Sequence, residues 1–394
     1  MDCSEDLNLR LHSLVIFHGL LQDRTLEKLL AVLSCEGSKI DKLTSYTDFV
    51  SELFSGNDNL TDFIWDRISS NENLYVMKCA AGEGAEPVLA QCLDNELKIL
   101  GELSQLSAAE VKKAIGFDGW LPEWKTRPAD FVSDYKKMIK QISVNGYGIF
   151  SRYQMFSYKL GELVPVKYPD PISLSDLKGY ERERKTVVDN TEALLCEKPA
   201  ANVLLYGDAG TGKSSTVKAI VNEYANQGLR LIEIRKDQLL EIPAVIEGLF
   251  MNPLKFILFI DDLSYTGYSE EIGALKAILE GTVSAKAPNV VIYATSNRRH
   301  LINEKFSDRG NDDIHLNETI QEQISLSERF GLAVNFGKPD KSQYLEIIHE
   351  LALQYGVEDI DDIDMRAERF ALERGGRSPR VARQFVDHLK SMEK

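Results

Sequence analysis

Apolar residues recur at two different spacings along this chain. Leu14, Phe17, Leu21, Leu26, Leu29 and Leu30 fall at helix-like intervals, as do Phe49, Leu53, Phe63 and Ile64, and then Leu97, Leu100, Leu103 and Leu106. Residues 1–160 are therefore expected to form a mainly helical N-terminal domain. Residues 161–180 hold Gly161, Pro165, Pro169, Pro171 and Gly179, which disfavour continuous helix or strand, so this stretch reads as a linker. Beyond it, short apolar runs at 202–206, 229–234, 255–261, 289–295 and 331–336 alternate with helical patterns. That alternation predicts a parallel sheet covered on both faces by helices. Residues 340–394 show helical periodicity and no strand signal. The expected architecture is α/β, with a three-layer αβα core at 181–339 and a C-terminal helical lid at 340–394.

Composition narrows the picture. The chain has 394 residues, 43% hydrophobic and 27% charged, a balance that supports a substantial core. Its net charge of −15 disfavours a protein that chiefly coats nucleic acid or anionic membrane, while leaving room for a local basic patch. Five scattered cysteines without a C-x-x-C read as reduced thiols, not as a disulfide framework or zinc site. The acidic start lacks the basic flank of a signal peptide, and no stretch reaches bilayer-spanning length, so a cytoplasmic location without membrane contact is expected. In the helical region, His12 and His18 are isolated. Trp120 and Trp124 bracket Leu121-Pro122, either as packing aromatics or as a partner-binding anchor.

The strongest chemical signal is the octet Gly207, Asp208, Ala209, Gly210, Thr211, Gly212, Lys213 and Ser214, followed by Ser215. It fits the phosphate-binding pattern G-x-x-x-x-G-K with Ser or Thr next. An apolar strand precedes it, and Val217, Ile220, Val221 and Tyr224 follow at helical spacing. Each residue type has a job. The glycines allow positive φ and close approach of the backbone to an anion. Successive N–H groups then form a nest for β- and γ-phosphates. Lys213 brings an ammonium, Ser214 offers a hydroxyl to Mg²⁺, and the helix aims its positive end at the phosphates.

Other residues complete a nucleotide site. The run at 255–261 ends in Asp261-Asp262, where open α/β sheets bind ligands. Asp261 is the expected Mg²⁺ partner and Asp262 the residue that orients or deprotonates the attacking water. Asn297 follows the next run, placed to hydrogen-bond the γ-phosphate or that water. Arg329 is either an arginine finger acting on a neighbouring subunit's site or a surface arginine in a salt bridge. The lid carries Arg374, Arg377, Arg380 and Arg383. Pro379 suits a first helical turn, which places Arg380 towards the γ-phosphate and leaves Arg377 and Arg383 second, as a solvated or acid-paired face.

In this order the motifs resemble those of the AAA+ ATPases. GDAGTGKS is similar to Walker A, FILFIDD to Walker B, ATSN to sensor 1, SLSERF to the arginine-finger segment and GRSPRVAR to the sensor 2 helix, covering about residue 170 to the end. PANVLLYGDAGTGKSS, the Ile260–Ser264 stretch, NVVIYATSNRRHL and SLSERFGL resemble more closely still a bacterial domain-of-unknown-function group of AAA+ ATP-binding proteins with a helical N-terminal region. The resemblance implies an ATP- and Mg²⁺-dependent ATPase driving a conformational or remodelling cycle on a protein client. It implies a homo-oligomer with Arg329 acting in trans, and Leu177, Lys178, Gly179 and Tyr180 as one wall of the adenine pocket. One departure matters: the second Walker B acid is Asp262, where the family usually has Glu. Its carboxylate is set back by one C–C bond, about 1.5 Å. A slow-hydrolysing nucleotide-gated switch, or a DNA-acting loader like the replication initiators with Asp-Asp pairs, are therefore alternatives. Arg298, Arg299 and His300 form one short basic cluster, read as supporting the active site or an inter-subunit contact before DNA. Residues 304–318 read as a client-contacting loop or a plain surface insertion.

Overall fold

The structure is a computed structural model that describes residues 3–263, 270–280, 287–297, 328–357 and 362–392. Arg298, Arg299, His300, residues 304–318 and residues 325–327 of the arginine-finger segment lie outside these. The chain forms two compact units, Met1–Arg152 and Tyr153–Lys394. Among the described residues no helix is long and apolar enough to cross a membrane.

The first unit is helical: α1 (Cys3–Leu11), α2 (Arg24–Leu33), α3 (Lys39–Phe54), α4 (Leu60–Ser69), α5 (Leu74–Ala80), α6 (Pro87–Ser104), α7 (Ala108–Ile115), α8 (Phe131–Lys140) and α9 (Ile142–Asn145). Local chemistry sets several ends. Ser38 with Asp41 and Ser107 with Glu110 form capping boxes, and Gly116 closes α7 at φ +66. The periodic residues Phe49, Leu53, Ile64, Leu97 and Leu100 make one buried core. One stretch departs from the pattern. Leu14 and Phe17 lie in irregular backbone after α1, ahead of a short 3-10 helix at His18–Gln22. The buried Glu96 carboxylate accepts the N–H groups of Val15, Ile16 and Phe17 at 2.9–3.1 Å, taking donors that a helix would turn to its own carbonyls. The two tryptophans divide. Trp124 is buried edge-on to Phe49 and donates to the Leu106 carbonyl, whereas Trp120 is 85% exposed.

The second unit is built on a seven-stranded sheet. Its elements are β1 (Met155–Lys159), β2 (Glu162–Pro165), α10 (Glu181–Leu195), β3 (Val203–Gly207), α11 (Lys213–Tyr224), β4 (Leu229–Glu233), α12 (Ile242–Leu249), β5 (Lys255–Ile260), α13 (Glu270–Glu280), β6 (Val290–Ser296) and β7 (Leu332–Phe336). Three lid helices follow, α14 (Lys341–Tyr355), α15 (Ile363–Glu373) and α16 (Pro379–Met392). The order is β2-β1-β4-β5-β6-β3-β7, parallel except for the edge strand β2. The β1–β2 hairpin departs from the sequence reading, which placed helix before 160 and neither helix nor strand from 161. It turns at Leu160 and Gly161, both at positive φ, and Pro165 is tolerated because β2 lies on the edge.

Register does the positioning. Leu205 pairs with Thr295 and Gly207 with Phe336, while Ile260 pairs with Ala294. The carboxyl ends of β3, β5 and β6 therefore lie side by side, and the residues that follow them share one edge. Val381, Ala382, Phe385, Val386 and Leu389 bury one face of α16 at helical spacing, which joins it to α14 and α15.

Candidate functional site

The turn after β3 takes the backbone that its glycines permit. Gly207, Gly210 and Gly212 stand at φ +132, +79 and +91. A Cβ on Gly207 would overlap the Phe336 carbonyl oxygen of β7, so only glycine fits beside that strand. Lys213 opens α11, and its buried ammonium donates to the carbonyls of Gly207 (2.9 Å) and Asp208 (2.7 Å) and to Asn297 Oδ1 (3.2 Å). Burial pulls its pKa below the usual value and the nearby Arg380 adds to this, against the raising pull of Asp208, Asp261 and Asp262. An anion here would relieve the desolvation of that cation.

The acids meet the turn from β5. Asp261 Oδ1 accepts the Ser214 and Thr295 hydroxyls, each at 2.6 Å. A serine hydroxyl beside a carboxylate is a hard oxygen donor set that suits Mg²⁺, which takes one or two carboxylates and fills its shell with water and phosphate. Asp262 stands at φ +52 and its side chain is exposed. Its Oδ1 accepts from Asn297 Nδ2 at 3.0 Å, and Lys236 lies 3.5 Å from Oδ2. Its N–H donates to Thr295 Oγ1 at 2.8 Å.

The lid reaches the same place. The Arg380 N–H, in the first turn of α16, donates to the Gly210 carbonyl at 3.1 Å. Arg380 and Arg383 line a cavity of about 420 Å³ together with Gly210–Thr216, Asp261, Asp262, Thr295 and Asn297. Ligand pockets span roughly 300–1,000 Å³, so this one has room for a nucleotide. Arg377 is instead acid-paired, with Nε 2.8 Å and Nη2 2.6 Å from the two Glu368 oxygens. Leu177, Lys178, Ile347 and Leu351 supply a wall away from the turn.

Some expected residues lie elsewhere. Gly179 and Tyr180 do not line the cavity. Gly179 is close-packed under Ile347, and its carbonyl accepts from Arg184. The Tyr180 ring lies against Phe336 and its hydroxyl donates to the Gly337 carbonyl; burial pushes that hydroxyl up to about 12. Asp208 also stays out of the cavity lining, its carboxylate accepting the Lys338 N–H at 2.9 Å. Arg329 does not line this cavity. It lines a second cavity of about 800 Å³ with Asn202, Val290 and Gly331, which mark the N-terminal ends of β3, β6 and β7. Thr295 and Arg184 also line the 420 Å³ cavity, and nothing in the sequence motifs singles them out. Helical spacing from Arg380 flags Arg383, but no periodicity reveals a hydroxyl's partners.

A model of the family described as "Protein of unknown function (DUF815)" matches residues 151–393. The Replication factor C large subunit of Staphylothermus marinus is 31% identical over 124 residues, 29% of this chain and 28% of that protein. The chain thus spans less than a third of that relative's length. Among solved structures, the Thermotoga maritima RuvB Holliday junction branch migration motor is similar with a TM-score of 0.38 and 19% identity, over 56% of this chain and 65% of that one. A point mutant of the same motor gives the same values. The α/β class with a P-loop core, expected from the motifs, is what the sheet and its turn display.

Proposed function

The chain belongs to the family described as "Protein of unknown function (DUF815)", and we propose that it is a Mg²⁺-dependent ATPase that hydrolyses ATP to ADP and phosphate. One observation carries this: a buried ammonium in a positive-φ glycine turn, a hydroxyl–carboxylate pair and a lid arginine line a single cavity. The N–H groups from Gly210 to Ser215 and the Lys213 ammonium bind the phosphates. Ser214 and Asp261 hold Mg²⁺, which draws charge from the phosphate oxygens when bound. Asp262 orients and deprotonates the attacking water, Asn297 holds that water or the γ-phosphate, and Arg380 reads the γ-phosphate from the lid. Loss of that phosphate releases a contact between lid and turn, which suits a conformational cycle acting on a protein client. Lys213→Ala is expected to abolish ATP binding, and Asp262→Asn to keep binding and lose turnover. Unchanged turnover in Asp262→Asn removes the role given to that acid.

Two further points belong to this reading. Arg329 stands at the opposite end of β7 from Gly207, which supports its action on a neighbouring subunit's site in a homo-oligomer. A slow nucleotide-gated switch is favoured by Asp262 itself, shorter than Glu and engaged by Lys236 and Asn297. Single-turnover phosphate release separates the two, because a half-life of hours without a partner supports the switch. For the DNA-loader alternative, the test is a mobility shift at low salt.

A further inference from the structure

The polar groups of the cavity form one continuous run of hydrogen bonds. Lys213 Nζ donates to Asn297 Oδ1 (3.2 Å), and Asn297 Nδ2 to Asp262 Oδ1 (3.0 Å). The Asp262 N–H donates to Thr295 Oγ1 (2.8 Å), Thr295 Oγ1 to Asp261 Oδ1 (2.6 Å), and Ser214 Oγ to that same oxygen (2.6 Å). Every member but Thr295 has a part in the function proposed above. Thr295 sits near the end of β6, 2% exposed, between the acid assigned to the metal and the acid assigned to the water.

A hydroxyl has one proton and two lone pairs. At Thr295 both directions are fixed by the neighbours, since an amide can only donate and a carboxylate oxygen can only accept. The proton goes to Asp261, and a lone pair takes the Asp262 N–H. The Thr295 main chain adds a third tie, its carbonyl accepting the Leu263 N–H at 2.6 Å. The turn so held is one that L-residues rarely adopt, with Asp262 at φ +52.

We propose that Thr295 is a positioning residue that couples the two acids, orienting the Asp261 carboxylate for Mg²⁺ and fixing the turn that aims Asp262. This rests on the Mg²⁺·ATP reading above. Outer partners of this kind shift metal affinity or activity by about 10–100-fold when removed. Valine keeps the shape of threonine without the hydroxyl, and serine keeps the hydroxyl without the methyl.

The test is calorimetric titration of the full chain with ATP, at graded Mg²⁺ and in EDTA, for wild type, Thr295→Val and Thr295→Ser. In the valine variant the Mg²⁺ concentration that half-restores tight ATP binding is expected to rise about 10–100-fold. Affinity in EDTA is expected to stay at the wild-type value, and the serine variant to return Mg²⁺ dependence to within about threefold of wild type, well below a loss of about 10–100-fold. A thermal melt precedes each titration. If Thr295→Val melts early, Thr295→Ala replaces it with the same expected loss. Wild-type Mg²⁺ dependence without the hydroxyl overturns the proposal, and so does an equal loss in the serine variant, which would show that any change of side chain there is costly whether or not the hydroxyl stays. Wild-type protein that binds no Mg²⁺·ATP is a different failure, because it removes the ATPase reading itself.

Discussion

Gly210→Ala and Gly212→Ala make a matched pair that tests whether the lid is seated on the phosphate-binding turn. Both put alanine at positive φ, +79 and +91, so both carry a backbone cost of about 1–2 kcal/mol. They differ in what the new methyl meets. At Gly212 nothing lies within 4 Å. At Gly210 the methyl stands 3.2 Å from Arg380 Cβ and 3.3 Å from Ser378 Oγ, close enough that the lid must give by a few tenths of an ångström. Ser378 is buried and its Oγ accepts the Val381 N–H at 3.2 Å, so the first turn of α16 retreats with it. That stretches the 3.1 Å bond from the Arg380 N–H to the Gly210 carbonyl, worth about 1 kcal/mol. One kcal/mol is roughly a fivefold change in an opening equilibrium. Hydrogen exchange at the Arg380 and Val381 amides is therefore expected to be about fivefold faster in Gly210→Ala than in Gly212→Ala. Equal exchange in the two variants, or faster exchange in Gly212→Ala, would refute the seating of lid on turn.

Further outcomes follow from single residues. With Arg329 acting in trans, specific activity is expected to rise with protein concentration and Arg329→Ala to flatten that rise; activity constant down to nanomolar protein defeats the role. The hydrogen bond from Arg377 holds the Glu368 carboxyl below its ordinary 4.5. A carboxyl lowered in the folded state stabilises above its unfolded pKa and loses that contribution as pH falls through the folded value. The melting difference between wild type and Arg377→Met is thus expected to be full at neutral pH and to shrink below pH 4.5, and a pH-independent difference contradicts the pairing.

The P-loop was legible because its demands are local. Positive φ at Gly207, Gly210 and Gly212 leaves few residue choices, and the apolar runs of β3, β5 and β6 reflect burial on both faces. The β1–β2 hairpin was not legible, because Pro165 reads as a breaker unless the strand is known to be an edge. Phe17 read as helical because periodicity records burial, whereas the donors there are taken by Glu96, some eighty residues away. Gly179 reads as a glycine of a nucleotide wall, yet what it serves is a backbone at φ +71 packed under the Ile347 side chain. Thr295 is the same lesson in the site: the apolar run before it marks it as the end of a buried strand and says nothing of the two acids its hydroxyl joins.

Every role proposed above depends on a nucleoside triphosphate and its magnesium ion lying against Lys213, Ser214 and Asp261. Isothermal titration of the full chain with ATP, with and without Mg²⁺, is the decisive measurement. Saturable binding that Mg²⁺ tightens, lost in Lys213→Ala, is the expected result. No measurable affinity for any Mg²⁺·nucleoside triphosphate would contradict it.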